Sequence, residues 1–337
     1  MKFCSLCFIF SSSIITIFYF FDITTNIGQG ACKKSYHQNL YAGNVQKKSI
    51  CNERIPHVIK NSKHPYEINE LRRHLGLHNP DYLAEHMQLF SEAFAKRLNN
   101  TSKHLSLHIP KAGGTSICNA VKRSAKFTSP QNNCWERDTC PLWCCCENPK
   151  PMTCNSLSHL NFSFVMNENW LDPLCDDRVY SVLVREPVSR AVSHVNHFLE
   201  GNEHYFYASK ERFDDAKGWR LPLIQSNYMT WSLTAGTAVS GQDPRFFRPS
   251  GEHLEEARRV LRRLDFVVNL GHPDKICTNA IFKLMGLSSP VDKSNGREGY
   301  EKNFHRADYE RMNELDLQLY AYANKLIELD CKFFLQL

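Results

Sequence analysis

The sequence has no internal repeat, and it is short of net charge. Lys and Arg number 41 against 35 Asp and Glu, a balance of +6 that is spread along the chain. Such a balance favours small anionic ligands, but it is too weak and too dispersed to form a nucleic-acid interface, so no nucleic acid is expected as a partner. No acidic cluster at metal-ligating spacing stands out, so no metal is expected either. The crowded cysteines of 134–154 lack paired C-x-x-C knuckles, which leaves zinc as the lesser alternative there. The Walker A order, with lysine after the second glycine, is also missing. Hydrophobic residues make up 42% of the 337 residues, enough for a sizeable core in one large domain, or one and a half.

What is present starts at the N-terminus. Phe3 to Phe21 is an uncharged run of 19 residues, with Lys2 before it and Asp22 after it. That length spans a bilayer. Lys2 on the near side leaves the short end cytosolic and the bulk of the chain lumenal. A cleaved signal peptide ending near Gly28-Gln29-Gly30-Ala31 is the rival; the long apolar run favours a retained signal anchor. Cysteine use agrees with a lumenal chain. Of 14 cysteines, Cys4 and Cys7 lie in the anchor, which leaves an even twelve, six of them between Cys134 and Cys154. In an oxidising compartment these read as disulfides. Connectivity stays open, because Cys144, Cys145 and Cys146 do not easily bond to one another. Asn99, Asn100 and Asn161 head sequons that such a compartment would glycosylate.

The expected organisation is a cytosolic tip and anchor at 1–21, a lumenal stem with a helical segment at 22–101, and a catalytic domain at 102–337. The helical segment, Asn69 to Leu98, carries its apolar residues at helical spacing and breaks at Asn79-Pro80. It suits a stem or a helix packed on the domain.

The domain opens on His104 to Lys126, HLSLHIPKAGGTSICNAVKRSAK. Alternating Leu105, Leu107 and Ile109 predict a strand, and Ile117 and Val121 predict a helix after the glycine bend. Strand, glycine bend and helix start make an anion site. Gly113 and Gly114 let backbone amides approach, and the helix N-terminus adds donors and partial positive charge. Lys111 adds a mobile cation, and Thr115 and Ser116 add hydroxyls. A bend that merely caps a helix is the plain alternative. Arg178 to Gly201 repeats the grammar, with a strand to Val184, Arg185 at its end, Pro187 in the first helical turn, and Arg190, Ser193 and His197 at helical spacing. Ligands of open α/β sheets collect at such strand ends, and Arg is the residue for bidentate phosphate contact. The plain alternative here is a helix start where Arg185 pairs with Glu186.

Together the two stretches resemble the nucleotide signature of the Golgi carbohydrate sulfotransferases, and among them the heparan sulfate 6-O- and 2-O-sulfotransferases. The resemblance covers about residues 102 to 330. It implies that Lys111, Ala112, Gly113, Gly114, Thr115 and Ser116 hold the 5′-phosphosulfate of 3′-phosphoadenosine 5′-phosphosulfate (PAPS), and that Arg185 and Ser193 hold its 3′-phosphate. Lys111 would also stabilise the leaving phosphate. Sulfuryl transfer to an alcohol needs a base, and a neutral imidazole suits that work. Both this need and the family pattern point to His159, with His108 as runner-up; His159 as a mere strand cap is the plain alternative. The stretch SNYMTWSLTAG resembles a segment that lines the acceptor cleft, which makes Asn227 and Trp231 acceptor candidates, although a Trp at helical spacing is more often core. Lys293 and Arg297, in a loop before the last helix, are second-tier nucleotide candidates.

The fold expected is α/β: a P-loop-like parallel sheet flanked by helices, with an N-terminal membrane anchor and a disulfide-rich insertion. The activity implied is transfer from PAPS to a hydroxyl of a glycosaminoglycan-like glycan in the Golgi lumen, without a metal. Protein tyrosine is the alternative acceptor. A kinase or NTPase and a non-catalytic glycan-binding protein are the rivals of other classes.

Overall fold

The computed structural model describes residues 54–131, 133–135, 153–168, 174–199, 218, 222–234, 249–287 and 305–337. The apolar run Phe3–Phe21, most of the cysteine-rich insertion, and Lys293 and Arg297 lie outside the described residues. Among the described residues no helix is long and apolar enough to cross a membrane.

Four helices come first: α1 (Arg54–Asn61), α2 (Pro65–His78), α3 (Pro80–Glu85) and α4 (Met87–Asn100). Pro65 and Pro80 stand at the starts of α2 and α3, where a missing N–H costs nothing. The sheet begins with β1 (Lys103–Leu107), which leads through the glycine bend to α5 (Gly114–Arg123). A short helix α6 (Cys154–Ser158) precedes β2 (Phe164–Asn167). β3 (Arg178–Val184) leads to α7 (Pro187–Leu199), followed by α8 (Tyr228–Thr234) and α9 (Gly251–Arg263). β4 (Phe266–Asn269), α10 (Lys275–Leu284), α11 (Arg306–Met312) and α12 (Glu314–Phe334) complete the chain.

The strands form one parallel sheet in the order β2-β1-β3-β4. Every residue of β2, β3 and β4 is buried, as a parallel sheet covered on both faces requires. The chain leaves β1 for β2 on one side and then crosses to β3 on the other. The β1/β3 pair is therefore the topological switch point, and ligands of such sheets bind above it, at the C-terminal ends of the strands.

Of the two placements open to the helical segment, the structure has it packed on the domain: Ile55, Leu71, Leu75, Leu83, Phe90 and Phe94 join the same core as β1, β3 and β4. The reason is electrostatic as well as apolar. Arg97 grips Asp265 through Nε (2.6 Å) and Nη2 (2.9 Å), and Arg73 grips Asp330 through Nε (3.1 Å) and Nη2 (2.5 Å), all buried. Burial pushes the Asp330 carboxyl up, but Arg73 and Arg72 outweigh it and hold the group below the usual carboxylate range. Helices α11 and α12 are separated at Asn313, whose side chain donates to Gln225 O (2.6 Å) and Tyr309 O (2.9 Å).

Disulfides join Cys118 to Cys134, Cys154 to Cys175 and Cys277 to Cys331. The first and last cysteines of the 134–154 stretch are thus bonded to partners outside it. Neither offers the thiolate that zinc requires.

Candidate functional site

The glycine bend stands at the C-terminal end of β1. Ala112 N–H donates to Ile109 O (3.1 Å) and closes the turn. Gly113 takes φ +115 as N-cap of α5, and a Cβ there would fall on Leu270 Cδ1. Both facts require glycine. A Cβ on Gly114 would fall on His108 Nε2 and against Met166. No side-chain cap covers the start of α5. The positive end of its dipole therefore has no side-chain acceptor, while Ser116 N–H donates to Gly113 O (3.0 Å). Lys111 sits at φ +67, a left-handed conformation that costs a non-glycine residue about 1 kcal/mol. Ala112 and Ser116 are buried, and Lys111 and Thr115 are half-buried.

Arg185 meets this bend. Its Nη1 donates to Lys111 O at 2.9 Å, so the end of β3 and the turn after β1 share one edge. Burial presses the Arg185 guanidinium below its ordinary value, offset in part by Glu186. The start of α7 is closed differently. The Glu186 carboxylate accepts from Ser189 N (2.7 Å) and Val188 N (3.3 Å), so that helix end is filled by the chain's own acid. Ser193, half-buried, lies on α7 beyond that cap. Arg190 is fully buried and serves packing, with Nη2 on Ile224 O (2.7 Å) and its guanidinium over the Tyr228 ring.

The histidines change places. β2 starts at Phe164, and His159 is the exposed C-cap of α6 rather than a strand cap. Leu157 O accepts from Arg178 Nη2, and Arg178 is the first residue of β3. His159 therefore stands beside the N-terminal ends of the strands. The length of β3, about 20 Å at strand rise, separates that end from Arg185. The structure does not bring His159 to the glycine bend; it brings His108 there. His108 N–H donates to Asn167 O (2.8 Å), which extends the β1/β2 ladder by one residue. Its Nδ1 lies 2.8 Å from Glu168 Oε1, and the two side chains are 12% and 14% exposed. Glu168 was not foreseen. Its signal was its place directly after a strand, where ligand-facing residues collect.

Asn227 and Trp231 are corrected as acceptor residues. Asn227 Oδ1 accepts from Leu315 N (3.0 Å) and Asp316 N (3.1 Å) and caps α12. In return Asp316 accepts from Met229 N and Thr230 N (both 2.8 Å) and caps α8. Trp231 is 1% exposed and packs on Tyr228, so its ring offers no face to a sugar. His194 and His197 are buried and half-buried on α7, the former edge-on to Tyr228. The basic and aromatic stretches 213–220 and 245–248 lie outside the described residues, apart from Gly218.

No protein-family model, no curated protein and no solved structure matches the chain.

Proposed function

We propose that this protein is a sulfotransferase that moves a sulfuryl group from PAPS to a hydroxyl of a glycan, a heparan-sulfate-like polysaccharide. One observation carries the reading. The Arg185 hydrogen bond to the Lys111 carbonyl brings two basic residues, both half-buried, to one edge at the switch point, beside the uncapped start of α5. A nucleotide with phosphates at both ends asks for two such sites on neighbouring strands, and a simple NTPase asks for one.

The residues present suit that donor. Gly113 and Gly114 leave a bend without Cβ atoms, no side chain caps the first turn of α5, and Lys111 adds a cation for the 5′ end. Arg185 and Ser193, on the next strand and helix, serve the 3′-phosphate. When bound, the donor supplies an electrophilic sulfur and a phosphate leaving group. Lys111 and the α5 amides hold the charge that develops on that phosphate, in a partly dehydrated site where such contacts are strong. Positioning and electrostatics do most of the work, as in phosphoryl transfer, and the scheme uses no metal. Disulfides among the described residues suit an oxidising lumen, so a Golgi enzyme held by Phe3–Phe21 fits the same reading.

The test is transfer of radiolabelled sulfate from PAPS to desulfated glycosaminoglycans and to a tyrosine peptide. Label on a glycosaminoglycan supports the reading, and label on the peptide alone moves the acceptor to tyrosine. No transfer to any acceptor by the folded protein, with or without adenosine 3′,5′-bisphosphate binding, sinks it. Magnesium-dependent ATP hydrolysis would replace it with an NTPase.

A further inference from the structure

We propose that His108 and Glu168 are the proton-accepting pair of this strand-end site, with His108 Nε2 as the base and Glu168 as its positioning residue. The inference rests on the sulfotransferase reading above and supplies the group that His159, at the far end of the strands, does not.

The geometry has three parts. First, the pair is built into the sheet. His108 and Glu168 follow the last residues of neighbouring parallel strands, and the His108 N–H to Asn167 O bond locks their register. Second, the Nδ1 to Glu168 Oε1 contact of 2.8 Å orients the imidazole. A carboxylate beside Nδ1 accepts a hydrogen bond from Nδ1–H, which leaves the lone pair on Nε2. Third, Nε2 lies over Gly114, the first residue of the anion-binding helix, where any Cβ would occupy its place. Nε2 has no hydrogen-bond partner among the described residues. Nucleophile activation elsewhere follows this plan, with a base held by a third group and aimed at the reacting centre.

The step balances. The acceptor oxygen forms a bond to sulfur as the bond from sulfur to the phosphate oxygen breaks, and that electron pair leaves on the phosphate. The acceptor proton passes to Nε2. The imidazolium is stabilised by Glu168 and returns its proton to water after product leaves. The products are a sulfate ester and adenosine 3′,5′-bisphosphate.

The experiment uses the full chain with radiolabelled PAPS and the polysaccharide that the wild type sulfates, and follows adenosine 3′,5′-bisphosphate binding in parallel. His108→Asn and His108→Ala are expected to lower kcat by about 10²–10⁴-fold. Nucleotide binding should stay near wild type, and added imidazole should restore part of the kcat of His108→Ala. Glu168→Gln, whose amide donates to Nδ1 and forces the wrong tautomer, is expected to lower kcat by roughly tenfold or more with the donor KM unchanged. Full kcat in both His108 variants overturns the pair while leaving the sulfotransferase reading intact. So does equal loss of binding and kcat in both, which makes His108 a nucleotide-holding residue. A folded wild type that sulfates nothing overturns the sulfotransferase reading first, and the pair's role with it.

Discussion

At the N-terminal end of the sheet, Arg73, Arg97 and Asp265 are at most 8% exposed, and each guanidinium meets a carboxylate. At the C-terminal end, Lys111 and Arg185 are half-buried, and the Arg185 guanidinium meets a backbone carbonyl of the bend. The residue types are alike and their partners are not. Asp265 accepts from Arg97, from Asn69 Nδ2 (2.9 Å) and from Tyr180 N (2.8 Å), so its charge is consumed inside the fold. The far end instead gathers positive charge around an uncapped helix start. Histidines divide the same way. His104, buried on β1, shares a hydrogen bond with Ser181 Oγ (2.9 Å) among Phe164 and Phe266, whereas His108, four residues on, reaches the strand end with an acid behind it. Carboxylates answer the arginines at one end of the sheet, and a backbone carbonyl answers Arg185 at the other.

The hardest blow to this contrast falls on the paired end. Asp265→Ala leaves Arg97 buried without its acid and is expected to cost about 3–5 kcal/mol in urea unfolding. The fraction still folded should bind adenosine 3′,5′-bisphosphate as the wild type does.

Acid sharpens it next. Burial lowers the His104 pKa from the ordinary 6.5 to about 3, with Asp265 opposing and Lys126 assisting. The unfolded chain therefore takes up the proton first. This contribution is intact above about pH 6.5 and is lost progressively down to about pH 3, a few kcal/mol in all. Thermal unfolding across that range checks it, and in His104→Gln the slope should flatten. A slope unchanged in the variant assigns the acid loss to other groups.

Smaller effects belong to the C-terminal end of the sheet. Lys111→Ala and Arg185→Ala each remove a charged contact of about 1.5–3 kcal/mol, which weakens adenosine 3′,5′-bisphosphate roughly tenfold to a hundredfold by calorimetry. Melting temperatures should move little. A large loss of stability with unchanged affinity would put Arg185 among the structural arginines.

The smallest effect is expected from His159→Ala. Exposed at the wrong end of the strands, it should leave kcat and acceptor KM within about twofold of wild type. Abolished transfer with nucleotide binding retained would return the base to His159 and reverse the contrast between the two ends.

Some of this was legible beforehand. Alternating apolar residues before Pro110, glycines at 113 and 114, and Pro187 after Arg185 define strand, bend and helix within one short window each. Asn227, Trp231 and His159 were harder, because a side chain's partner decides its role. Asn227 finds its partners at Leu315 and Asp316, and His108 finds its acid at Glu168, across sequence gaps that no local spacing encodes.

By itself the chain's order of residues determined the parallel strands, the two strand-end turns and the glycine positions, because each depends on backbone conformation and on patterns a few residues long. Only the tertiary structure decided which histidine stands at the bend, that helices 54–100 belong to the domain, and that Trp231 is core. Those outcomes follow from strand order and burial, which bring distant residues together and choose which charges neutralise one another.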